Sequence, residues 1–143
     1  AKRWCENFKR LDANTQKRVT VENDDKGSMW STKHLFDYIH SDIGIPIVFD
    51  YHHYKFCTGG QTEQEALELA MSTWPDGVTP VVHYSQSRAE EHNDPKIRPQ
   101  AHSDSYWAAP NLYGHDLYVM CECKHKEQGV FALLELMKNK AVA

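Results

Sequence analysis

The chain has 143 residues, of which 41% are hydrophobic and 25% charged, and its formal net charge is −4. This composition suits one globular domain with its own core, but the chain is short for a complete (β/α)8 barrel, which takes about 250 residues. No window approaches the roughly 18 consecutive apolar residues of a membrane span, no apolar signal-peptide stretch follows the opening Ala1-Lys2-Arg3-Trp4, and the acidic balance supplies no global attraction to nucleic acid.

In chain order, residues 1–8 read as the end of a helix. Lys17 to Asn23, rich in β-branched residues, reads as a first strand. Ser28 or Ser31 is the candidate cap of a helix with apolar face Leu35, Phe36, Ile39 and Ile43, ended by Gly44. Residues 45–50 form a nearly continuous apolar run, as a strand covered on both faces would. Thr62 followed by Glu65 is a capping box, and the helix it opens carries Ala66, Leu67, Ala70, Met71 and Trp74. Residues 79–85 read as a third strand, with Pro80 tolerated only near its start. Residues 86–100, holding Pro95, Pro99 and many charges, read as a long exposed loop. Residues 117–123 are a fourth strand, followed by a helix with Val130, Phe131, Leu133, Leu134 and Met137. Alternating strands and helices imply an α/β fold with a parallel sheet and right-handed crossovers. Four βα units make half of a TIM barrel or a small open sheet, and the whole chain reads as one partial domain. The four cysteines lack the C-x-x-C spacing of redox and zinc motifs and read as reduced structural thiols.

Each strand ends in a metal-ligand type. The first delivers Glu22, the second Asp50 and His53, the third His83, and the fourth Glu122. In a parallel barrel all strand C-termini open on the rim that carries the active site. Mixed carboxylates and imidazoles there suit Zn2+, Mn2+ or Fe2+, and a carboxylate can bridge two ions. Glu122, inside an apolar strand, is the hardest to explain without a compensating positive charge. His102, in His102-Ser103-Asp104, is either part of a polar turn or a further ligand. Lys124 could meet a phosphate, and Tyr84 could stack on a base; a solvated strand end and core packing are the competing readings.

These stretches, from Arg18-Val19-Thr20-Val21-Glu22-Asn23-Asp24 through Ile47-Val48-Phe49-Asp50-Tyr51-His52-His53, His83-Tyr84-Ser85 and Ala101-His102-Ser103-Asp104 to Met120-Cys121-Glu122-Cys123-Lys124, together resemble the UV damage endonuclease family, in family order. The resemblance implies the C-terminal half of a TIM-barrel DNA repair enzyme carrying up to three divalent ions, with Mn2+ the usual expectation. It implies Glu22 as a bridging ligand and catalytic residue, with Asp50, His83 and catalytic Glu122 completing one site and His53 and His102 serving another. The implied reaction is a nick immediately 5′ of a UV photoproduct in double-stranded DNA, with a metal-activated water as nucleophile and a 3′ hydroxyl left behind. Two departures stand out. The family's first four βα units, with two further His ligands, have no counterpart here, and Val81 stands where members often carry a Lys.

Two competing readings share the same residues. A xylose isomerase-like sugar isomerase or epimerase also places Glu, Asp and His on strand ends. A non-catalytic half-barrel would bind only metal or a partner, since open sheet edges invite pairing with an N-terminal half or a second copy. A repair enzyme would reside in the cytoplasm or on the nucleoid.

Overall fold

In the computed structural model, which describes residues 1–141, four parallel strands lie side by side in sequence order: β1 (Val21–Glu22), β2 (Ile47–Asp50), β3 (Val81–Tyr84) and β4 (Tyr118–Cys121). The expected α/β architecture with a parallel sheet is therefore observed. Pairing runs Glu22 opposite Val48, Asp50 opposite His83, and His83 opposite Met120. Because side chains alternate along a strand, this register puts Glu22, Val48, Asp50, His83, Tyr118 and Met120 on one face. Ile47, Phe49 and Val82 point to the other.

Helices cover that second face. The helix α1 (Lys2–Phe8) contributes Cys5 and Phe8 to the core. A longer helical run follows β1: α3 (Thr32–Leu35), a π-helical turn over Phe36–His40, and α4 (Ser41–Ile43). Ser31 is its cap, its side chain accepting from the His34 amide. Gly44 ends it at φ 67°, the left-handed conformation that favours glycine. The capping box of α6 (Glu63–Met71) forms as expected: the Thr62 hydroxyl accepts from the Glu65 amide while the Glu65 carboxylate accepts from the Thr62 amide. Ala66, Leu67 and Ala70 of α6 are buried against β2, with Ile47 and Phe49 beneath them at 0% exposure. Thr62→Ala should cost about 1 kcal/mol of stability, the typical value of a lost N-cap. Urea denaturation checks this, and an unchanged midpoint would show that the box contributes nothing.

Two expected segments differ. The first strand covers only residues 21–22, because Asp12 accepts from the Asn14 and Thr15 amides and caps the short helix α2 (Ala13–Gln16) just before it. Nor is the 86–100 stretch a simple exposed loop. Gln86 and Ser87 are buried, Ser87 caps the helix α7 (Arg88–His92), and a bridge between Ser87 and His102 closes the excursion at its base.

The final helix α8 (Glu127–Ala141) packs Leu133 into the core. On the site-bearing face, Tyr118 is 66% exposed and Met120 53%, so the face is open along β4, while Val48 and Asp50 on β2 are buried. Among the described residues no helix is long and apolar enough to cross a membrane.

Candidate metal centre

The register brings the strand ends together. Glu22 reaches two imidazoles at once: Oε1 lies 3.0 Å from His53 Nδ1 and Oε2 3.1 Å from His83 Nδ1. Glu122 similarly stands between His83, at 3.6 Å, and His102, also at 3.6 Å. Two donor sets result, each with its donor atoms within 4.8 Å of one another: Glu22, Asp50 and His53, and Asp50, His83 and Glu122.

Asp50 is common to both. It is fully buried, and as N-cap of α5 (Tyr51–Tyr54) its Oδ1 accepts from the His52 and His53 amides. Its Oδ2 has no hydrogen-bond partner. A buried carboxylate oxygen without a donor is costly, and a cation shared with two imidazole-carboxylate pairs would satisfy it. The donor set thus fits a divalent transition-metal ion.

Asn23 was not singled out in the sequence, yet it fixes this arrangement. Its side-chain oxygen accepts from the Asp50 amide and its nitrogen donates to the Asp50 carbonyl, while its own carbonyl faces His53 Nδ1 at 2.9 Å. No sequence signal announces such a clamp, since an asparagine at a strand end reads as a turn former.

Charge coupling dominates the titration. Burial pushes Glu22 up, but the adjacent His53 and His83 more than offset this and hold it at about 2. Burial lowers His53, and Glu22 and Asp50 override it, raising it to about 9. Burial is the main cause of Asp50 rising to about 6, against the pull of His53. His83 is raised by Glu22, while burial lowers His102. In metal-free protein His53 binds its proton more tightly folded than unfolded. Its contribution to stability is therefore complete below about 6.5 and lost as pH rises through about 9. Chelator-treated protein should melt at progressively lower temperature from pH 7 to 9.5; a rising melting temperature over that window would contradict the pairing.

The remaining expected contacts divide. Lys124 is exposed beside the site, its amide donating to the Ser103 carbonyl. Tyr84, expected to stack on a base, is buried: it stacks on Tyr106 at 5.5 Å and its hydroxyl donates to the Ala108 carbonyl. Strand alternation explains this, since Tyr84 follows His83 and must face the helices. His102 and His53 stand with ring centroids 6.3 Å apart. His92 is exposed, and its Nε2 lies 2.7 Å from an Asp104 carboxylate oxygen, beside Glu91 and Arg88.

The family model for UV-endonuclease UvdE matches residues 1–143. The chain belongs to the UvdE family. Relatives of this UvdE chain include a UV DNA damage endonuclease of Bacillus cereus (strain G9842), 32% identical over 140 residues, covering 93% of this chain and 42% of the relative. Another, from Bacillus pumilus (strain SAFR-032), is 33% identical over 144 residues at the same coverage, 93% and 42%. A UV-damage endonuclease of Neurospora crassa is 30% identical, covering 95% of this chain and 21% of its own length. The crystal structure of SacUVDE superposes with a TM-score of 0.79 at 28% identity, over 98% of this chain and 46% of that one. The chain thus spans less than half the length of these relatives, and its open sheet corresponds to part of a TIM-barrel-like fold.

Proposed function

We propose that this chain is the metal-binding half of an endonuclease that hydrolyses a phosphodiester bond of double-stranded DNA on the 5′ side of UV photoproducts. The observation that carries this is the convergence of Glu22, Asp50, His83 and Glu122 from four strands onto one face, in a chain of the UvdE family. Carboxylate-rich donors favour Mn2+, with Zn2+ or Fe2+ as alternatives. A divalent ion there supplies Lewis acidity at a phosphate oxygen and acidifies a water.

The protein groups divide the remaining work. Glu22, with one oxygen toward each imidazole, would be a metal ligand common to the His53 and His83 sides of the rim. Glu122 ties the His83 and His102 sides of the rim together. Asn23 and the cap on α5 hold Asp50 Oδ2 toward the centre. Lys124 offers a positive charge to the DNA backbone. The exposed β4 side chains and the outer edges of β1 and β4 suit a complementary N-terminal half-barrel, or a second copy, which would supply the rest of the rim. A protein acting on chromosomal DNA would work in the cytoplasm or on the nucleoid.

The test is a supercoiled plasmid, UV-irradiated or not, incubated with the chain and Mn2+, with and without a complementary half-barrel. Nicking confined to irradiated plasmid, and lost with chelator, is expected once the barrel is complete. Equal cleavage of both plasmids, or none with the complement present, would sink the assignment.

A further inference from the structure

The segment that carries His102 lies in no strand or helix, yet it is bonded on both sides. On the side of β4, the amides of Lys124 and His125 donate to the Ser103 and Asp104 carbonyls at 3.0 and 2.9 Å. On the side of the 86–100 excursion, the Ser103 amide donates to the Gln86 carbonyl at 2.8 Å, and the Arg88 amide to the Ala101 carbonyl at 2.7 Å. His102 therefore stands between two tethered neighbours.

The next two amides, those of Asp104 and Ser105, both donate to Glu91, one to each carboxylate oxygen, at 2.6 and 3.0 Å. Successive amides make a concave seat for an anion, and a hydrogen bond to an ionised acceptor is roughly twice as strong as a neutral one. Glu91 belongs to α7, and that helix grips the segment twice more. Arg88 Nε lies 3.3 Å from one Asp104 oxygen and His92 Nε2 lies 2.7 Å from the other. The Glu91 side chain is 19% exposed, against 43% for Arg88 and 44% for His92, so its contact is the least screened of the three. Glu91, His92 and Asp104 present donor atoms within 4.8 Å of one another. Arg88 and the two amides already compensate those carboxylates, which makes the group a brace rather than a cation site of its own. A loop residue that must be ordered before it can bind loses affinity to that ordering, and a prefixed loop recovers it.

We propose that Glu91 is a positioning residue for the rim: by seating the Asp104 and Ser105 amides it presets His102 as a ligand, and the 86–100 excursion serves the metal centre from outside it. The inference rests on reading His102 as a ligand of that centre. Glu91 then acts on metal affinity only through His102.

The experiment is a double-mutant cycle on Mn2+ affinity, with free Mn2+ read by electron paramagnetic resonance, for wild type, Glu91→Ala, His102→Ala and the double variant. Glu91→Ala should weaken Mn2+ binding about 10-fold, the scale of an outer partner of a metal ligand. In the His102→Ala background the same change should alter affinity by less than about twofold. An equal loss in both backgrounds would overturn the proposal, since it would reveal either general loosening or a cation held by Glu91 itself. Unchanged affinity in Glu91→Ala, or in His102→Ala, would also overturn it while leaving the Asp50, His83 and Glu122 centre standing. Absence of bound Mn2+ in wild type would overturn that reading of the rim and the proposal together. If circular dichroism shows Glu91→Ala unfolded, Glu91→Gln takes its place in the cycle, because it keeps one acceptor oxygen and loses the other.

Discussion

Glu22→Gln is expected to strip the centre of its bound cation. Glu22 is the group that faces both His53 and His83, at 3.0 and 3.1 Å, so its charge is shared by both halves of the rim. The amide keeps the shape and removes the negative charge, and its NH2 can only donate where a cation needs an acceptor. Loss of a mere outer partner of a metal ligand weakens binding about 10–100-fold; loss of a ligand shared between two sets should exceed about 100-fold. Glu122→Gln should behave similarly, since Glu122 links His83 to His102. Neither carboxylate lies in the hydrophobic core, so both variants should retain the wild-type circular dichroism spectrum. Metal per chain after gel filtration is the readout, and wild-type content in both variants would mean that these strand ends are not the site.

Phe49→Ala should be the most damaging single change to the fold. Phe49 is at 0% exposure in the middle of β2, with Tyr51 and Tyr54 packed on it at ring separations of 4.9 and 5.6 Å. Truncation removes buried apolar contact and leaves a cavity, for a loss of about 3–5 kcal/mol. Folded domains hold only about 5–15 kcal/mol in total, and an open four-stranded sheet belongs near the lower end. The variant should therefore be largely unfolded at 37 °C and lose metal as a consequence, because Asp50 is the next residue. A urea midpoint within error of wild type would show that β2 is not the centre of the core.

Much of this was legible in the sequence wherever a local rule and the global fold agree. The apolar run at 45–50, the Thr62 and Glu65 pair and the glycine at 44 each have one structural meaning, and each appears as expected. The convergence of Glu22, Asp50, His83 and Glu122 followed from parallel topology alone, since that topology turns four separate strand ends into one rim. The misread parts depend on partners distant in sequence or on competition between neighbouring signals. Lys17 to Thr20 has strand-forming character, but the cap at Asp12 spends the preceding residues on a helical turn. Tyr84 shares a strand end with His83, and only the phase of the alternation separates a rim residue from a core one. Asn23 acts through a backbone group 27 residues away, a relation that no local pattern encodes.

The two free edges of the sheet are not equivalent: one belongs to β1 and the other to β4. Two copies cannot pair like edge with like edge and still continue a parallel ladder, so self-association that extends the parallel sheet must be head-to-tail, β4 of one copy against β1 of the next. Such contacts either close into a ring or propagate as a filament, depending on the rotation between neighbours. Four strands per copy make the arithmetic simple. Two copies reach the eight strands at which a parallel barrel closes, and closure would leave no edge on which a third could add. The angle at a single strand-to-strand joint therefore decides between a dimer of fixed size and an open fibre.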